Sequence, residues 1–165
     1  MYRLRASAPL RFIILLGLTL TFSACGFQPR GQVPAPAATL LPLAITGIDH
    51  DTPLYIALQH RLGKDLSADA GQAAAVLTIS AVHSGRELLT VDARNKANEY
   101  QLVESLVFRI RQGGRESAPQ TLSAQRIHYA PGTAVLAHNR EEAELRQAMR
   151  EQLADQLLQR LAAWH

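Results

Sequence analysis

The 165-residue chain carries 17 lysines and arginines against 14 acidic residues, a formal charge of +3, and a single cysteine. Arg3, Arg5 and Arg11 lie before residue 25, where no acid lies, so 14 basic and 14 acidic residues remain from Cys25 to His165. That neutral remainder argues against a globally basic nucleic-acid binder, and its length suits one domain with a real core.

The chain opens with a basic start, an apolar run from Phe12 to Phe22, and the small pair Ser23-Ala24 directly before Cys25. This is the pattern of an export signal. A cysteine at the cut points to a bacterial lipoprotein signal, in which the thiol is alkylated with diacylglycerol and Cys25 becomes the first residue. Phe22 departs from the aliphatic residue usual at that place. A transmembrane helix is the rival reading, but the run falls short of the roughly 20 apolar residues a span needs. A plain secretory signal is the other rival, and it leaves a lone thiol unexplained in an oxidising compartment. The expected layout is therefore a lipoprotein signal peptide over 1–24, a lipidated flexible tether over 25–38 and one domain over 39–165. Gly26 follows the cysteine where an Asp would favour inner-membrane retention, so transfer to the outer membrane is expected. The tether reading rests on three prolines and two glycines between Gly26 and Ala38.

Leu40 to Ile48 reads as a first strand, with Pro42 tolerated at an edge or a bulge. Thr52 reads as an N-cap with Pro53 at the first helical position. Leu54, Leu58, Leu62 and Leu66 form one stripe, predicting a helix over 53–67 that Gly63 weakens by about 1 kcal/mol. Ala74 to Val82 reads as a strand with Leu77, Ile79 and Ala81 on one face. It continues in extended form through Leu88, Leu89 and Val91, and Asp92 to Asn98 reads as a hairpin connection. Tyr100 to Arg111 is the clearest strand: Tyr100, Leu102, Leu106, Phe108 and Ile110 share a face that only Glu104 interrupts. Gly113-Gly114 supplies the next turn, and Thr121 to Tyr129 returns. A last helix is expected over 140–163, with Asn139 and Glu142 as a capping box. Its buried stripe is Leu145, Met149, Leu153, Leu157 and Leu161, widened by Ala148 and Leu158. The order implies an α+β fold with two helices packed on one face of a four-stranded sheet.

Catalytic signatures are absent. There is no Gly-x-Ser-x-Gly elbow and no phosphate-binding glycine loop. The histidines at 50, 60, 83, 128, 138 and 165 form no His-x-His or His-Glu-x-x-His pair, so no metal and no cofactor are expected. His83 and Ser84 point to opposite faces of a strand and cannot act as base and nucleophile. His128 reads as a residue on a sheet face. Arg86, Arg94, Lys96, Arg126 and His138 cluster near strand ends. They form either a solvated rim with Glu87, Asp92 and Glu99 or a local anion site on a neutral domain.

The start Cys25-Gly26-Phe27-Gln28-Pro29-Arg30-Gly31, the segment Ala93-Arg94-Asn95-Lys96-Ala97-Asn98-Glu99-Tyr100-Gln101-Leu102 and the amphipathic C-terminal helix together resemble the LptE family of lipopolysaccharide-assembly lipoproteins. The resemblance implies a non-enzymatic plug inside the β-barrel protein LptD, on the periplasmic side of the outer membrane. It also implies contact with the lipid A end of lipopolysaccharide. By position it makes Arg94 the best candidate for that contact and Lys96 a weaker neighbour. His138 stands where the family often carries a lysine, and histidine is mostly neutral near pH 7. The alternatives are a periplasmic lipid carrier or adaptor on the same anchor, which needs an acyl-chain cavity between sheet and helices, and a lipid- or glycan-modifying hydrolase, which needs convergent catalytic groups.

Overall fold

The computed structural model describes residues 35–132 and 134–164. The expected signal peptide and Cys25 lie outside them. Of the expected tether, Pro36 is buried and the Ala37 amide donates to the Leu161 carbonyl at 3.4 Å.

Strand β1 (Leu43–Thr46) is followed by helix α1 (Pro53–Leu62), the short strand β2 (Leu66–Ser67) and the long strand β3 (Ala75–Val91). Strand β4 (Ala97–Gln112), the two-residue strand β5 (Arg115–Glu116), strand β6 (Gln120–Tyr129) and helix α2 (Val135–Ala162) complete the order. All six strands join one mixed sheet, in which β1 runs parallel to β2 and β3 while β4 pairs antiparallel with β3, β5 and β6. The α+β class holds. The sheet exceeds four strands because β2 and β5 are two-residue bridges too short to show a period.

The expected first strand is shorter than its apolar run. Residues Ala38–Leu40 form a 3-10 turn, and Pro42 precedes β1, which is flanked by β2 and β3. No edge or bulge is needed for that proline. Thr52 caps α1 as expected, its Oγ1 accepting from the Tyr55 amide at 3.3 Å. Gly63 ends this helix instead of weakening its interior: its φ of +53° is a left-handed value at the C-cap.

Strand β3 changes face part-way. The register steps from Ile79 opposite Phe108 to Ala81 opposite Val107, so Ser80 is the extra residue of a bulge. Before it, the odd-numbered Leu77 and Ile79 face the core; after it, Val82, Ser84 and Arg86 lie opposite the inward Leu106, Glu104 and Leu102. Ala81, expected beside Ile79, therefore sits on the outer face and is exposed.

Helix α2 begins five residues before its expected start, with Ala134 at the N-cap and no side-chain cap. Asn139 lies inside the helix, and Glu142 binds Arg146, so the capping box does not form. Met149, Leu153, Leu157, Leu158 and Leu161 are buried as expected, joined by Ala154 in place of the exposed Ala148. They pack on Leu102, Leu106, Phe108 and Ile110 of β4 and on Leu122 and Ala124 of β6. Leu54, Leu58 and Leu62 of α1 enter the same core, and Arg61 pairs with Asp155 across the two helices.

Candidate functional site

The β3–β4 hairpin carries its turn at Asp92–Lys96. Asp92 Oδ1 accepts from the Arg94 amide at 2.8 Å and from the Lys96 amide at 2.9 Å. The Asp92 amide donates to the Lys96 carbonyl at 2.7 Å, and the Asn95 amide to the Asp92 carbonyl at 2.9 Å. Asn95 takes the left-handed φ of 61° that closes the turn. The Lys96 amide bond first, and the Arg94 bond second, hold the Asp92 carboxyl below its ordinary value of 3.8. The turn backbone is thus pinned while the Arg94 and Lys96 side chains are exposed.

The other basic residues near strand ends are held in place. Arg86 stacks over Tyr100, its guanidinium carbon 3.6 Å from the ring centroid, and pairs with Glu142 at 3.4 Å. Arg126 donates to Gln152 Oε1 at 2.6 Å and to the Gln125 carbonyl at 2.8 Å. His138 Nε2 lies 3.0 Å from the Pro131 carbonyl. Arg86 and Arg126 stay exposed, as a solvated rim expects, but each reaches a residue of α2 and ties that helix to the sheet. Arg94 and Lys96 remain as outward cations at the hairpin tip. Register places that tip at the same end of the sheet as His138: Ala97 pairs with Val91, Glu99 with Tyr129, and the Ala130 amide bonds the Asn98 carbonyl at 2.9 Å.

Two buried polar groups were not legible as a pair of clusters. Glu104, 1% exposed, accepts from Ser84 Oγ at 2.7 Å and from Arg146 Nη1 at 2.9 Å, with Arg150 Nη2 at 3.4 Å. Burial opposes the Arg146 charge, but the hydrogen bonds of Glu104 and then Glu142 outweigh it and hold that guanidinium above its ordinary value. His128, also 1% exposed, has Glu141 Oε2 at 3.5 Å and Glu142 Oε2 at 3.8 Å, with His138 beside it. A surface cleft of about 480 Å³ runs past Gly47, Ser84, Glu104 and Arg150. His83 and Ser84 do lie on opposite faces, since Ser84 reaches Glu104 on the inner one. Among the described residues no helix is long and apolar enough to cross a membrane.

Comparison with known proteins adds an independent line. Residues 40–161 match the family model described as "LptE: Lipopolysaccharide-assembly". The LPS-assembly lipoprotein LptE of Pectobacterium atrosepticum is 31% identical over 157 residues, covering 91% of this chain and 84% of the relative. Its counterpart in Yersinia pestis is 30% identical, covering 92% and 75%. Among solved structures, rare lipoprotein B from Shewanella oneidensis aligns with a TM-score of 0.65 at 27% identity, covering 73% of this chain and 93% of that one. Lipoprotein B from Nitrosomonas europaea shares the fold with a TM-score of 0.66 at 22% identity, covering 84% and 91%.

Proposed function

The chain belongs to the LptE family of non-enzymatic lipopolysaccharide-assembly lipoproteins, and from that premise we propose that it fills and supports the lumen of the β-barrel protein LptD. In that place it assists delivery of lipopolysaccharide to the outer leaflet, with the hairpin tip meeting the lipid A end. One observation carries this reading. The pinned turn at Asp92 holds Arg94 and Lys96 outward at the end of a rigid, filled body. Arginine suits a lipid A phosphate because its planar fork offers paired donors and keeps its charge. His138 is the third candidate at that end and the weakest, since its Nε2 already faces the Pro131 carbonyl at 3.0 Å.

The sheet supports the barrel contact. Its outer face carries Gln101 bonded to Gln125 at 2.8 Å, with Ser105 and Ser123 paired beside them. Such a face suits the polar interior of an outer-membrane barrel. At the hairpin end the same sheet exposes Leu88, Leu89, Val91, Ile127 and Tyr129, apolar groups a partner surface would cover. The core between sheet and helices is filled by Leu106, Phe108, Met149 and Leu153, and the cleft beside it carries the charged Glu104 and Arg150 in its wall, which counts against an acyl-chain carrier.

Cys25, outside the described residues, serves in this reading as the lipidated anchor to the outer membrane. One acyl chain contributes about 0.8 kcal/mol per buried methylene and binds only marginally, so several chains are needed for stable attachment. The deciding experiment is an affinity pull-down of the full chain from outer membranes of its own cells, with mass identification of what accompanies it. A large outer-membrane barrel protein is the expected companion. A chain that stays monomeric in those extracts overturns the proposal.

A further inference from the structure

Glu104 Oε2 is buried without a partner although its other oxygen is bonded, whereas His128 has no bonded side-chain nitrogen at all. That histidine is 1% exposed, and neither ring nitrogen has a hydrogen-bond partner. Buried polar side chains are nearly always partnered, and an orphan calls for an ion or a water to complete it. Strand β6 aims this ring at the first two turns of α2. There Glu141 Oε2 lies 3.5 Å from Nε2 and Glu142 Oε2 lies 3.8 Å from Nδ1. The His138 ring stands edge-on, with centroids 6.0 Å apart. One donor atom from each of His128, His138 and Glu141 lies within 4.8 Å of the others.

We propose that His128, His138 and Glu141 form a binding site for a divalent metal of the zinc class, clasping the start of α2 to β6. Two imidazoles and one carboxylate are a ligand set that zinc takes, at about 2.0–2.2 Å per bond. The tautomer of His138 is set for ligation. A carbonyl can only accept, so Nε2 donates to Pro131, and Nδ1 keeps its lone pair. That outward hydrogen bond is the usual support of a metal-bound imidazole. Glu142, beside His128 Nδ1, offers the corresponding support to the second ring. Arms of about 2.0–2.1 Å place tetrahedral donors roughly 3.4 Å apart; Glu141 Oε2 already lies 3.5 Å from His128 Nε2, so ligation mainly draws the His138 ring inward.

The location gives the site a purpose. The first turn of α2 has no side-chain cap, and Val135 and Leu136 are exposed, Leu136 to 87%. His138 reaches the Pro131 carbonyl and Arg86 holds Glu142 one turn on; an ion bridging β6 to residues 138 and 141 would add a direct tie to the strand. The proposal does not depend on the barrel or on lipopolysaccharide.

The test uses the full, tag-free chain in detergent, stripped with a chelator and titrated with zinc chloride. Binding of one equivalent is expected, with at least tenfold weaker binding in both Glu141→Gln and His138→Gln. Both side chains reach solvent, so these variants keep the fold, whereas a change at His128 risks the core. Cobalt chloride provides a second reading: visible bands of a low-coordinate ion are expected in the parent and not in Glu141→Gln. No stoichiometric zinc binding by the parent overturns the site. So does binding that both variants retain unchanged, since the ion then sits on other histidines.

Discussion

Arg146 Nη1 lies 2.9 Å from Oε1 of Glu104, joining α2 to the centre of β4 where the inward face of the strand would otherwise be apolar. Glu104 is 1% exposed, so its charge is tolerable only because Arg146, Arg150 and Ser84 surround it. Removing one member of a buried pair leaves the other uncompensated and costs about 3–5 kcal/mol, whereas replacing both by apolar groups is often neutral. Arg146→Met should therefore lower unfolding stability by about 3 kcal/mol in urea titration, somewhat softened by Arg150. The double change Glu104→Leu with Arg146→Met should recover most of that loss. Additive losses in the double variant would show that the pair is not a coupled unit.

Gly47 lies at the end of β1 with a φ of +88°, and a Cβ built there would meet the Ile79 carbonyl oxygen at 2.1 Å. The contact falls next to the Ser80 bulge, where β1 and β3 part. A side chain is thus strained by its backbone and blocked by main chain that cannot rotate away. Gly47→Ala should cost roughly 1–3 kcal/mol from the backbone alone, with a further loss from the displaced strand. Thermal unfolding measures it, and a midpoint equal to the parent's would contradict the described close approach.

Much of this architecture is legible because apolar spacing is a local signal. Thr52 with Pro53, the alternation from Leu102 to Ile110, and the Met149–Leu161 stripe each lie within a few turns of sequence. What escapes is set by distant partners. Glu104 shows only as an interruption, because Arg146 lies 42 residues on. The Ser80 bulge leaves no mark, since an extra residue is defined only against the partner strand. Asn139 and Glu142 imitate a cap, yet nothing between Ala134 and Asn139 breaks a helix, so α2 starts earlier. At the site, residue type and place near strand ends give Arg94 and Lys96 no advantage over Arg86 and Arg126, and the family resemblance alone ranks Arg94 first. The stacking of Arg86 on Tyr100 and the Arg126–Gln152 bond set those two apart in the structure. His128 reads in sequence only as a residue on a sheet face, because its neighbours Glu141, Glu142 and His138 come from α2.

The Asp92 carboxylate organises the hairpin tip, and its protonation should loosen it. Its folded pKa lies below 3.8, through the Lys96 and then the Arg94 amide bonds. A depressed carboxyl pKa contributes order that is present above the unfolded value and is lost as pH falls through the folded one. Between neutral pH and 4 the turn should therefore stay unchanged. Below that, the Arg94 and Lys96 amide resonances should shift together with the Asp92 side-chain carboxyl carbon in an NMR titration. A carboxyl midpoint above 3.8 would remove the pinning argument.

If the tip meets lipid A phosphate, charge reversal there should act on lipid and not on the barrel. A hydrogen bond to a charged group contributes about 1.5–3 kcal/mol, so Arg94→Asp should weaken lipopolysaccharide binding by roughly ten- to a hundredfold. Lys96→Glu should weaken it less, because an ammonium binds phosphate as a point charge without paired geometry. The fold should persist in both, since the turn is held by the backbone amides of residues 94 and 96 and not by their side chains. Recovery of the barrel protein in a pull-down should likewise stay at the parent's level if, as proposed, the barrel contact lies along the sheet. Added salt should erode the parent's lipid binding more than the variant's, as expected for an exposed ion contact. Equal lipid binding by parent and Arg94→Asp would return Arg94 to the ordinary solvated surface and leave the lipid contact to be sought elsewhere on the body.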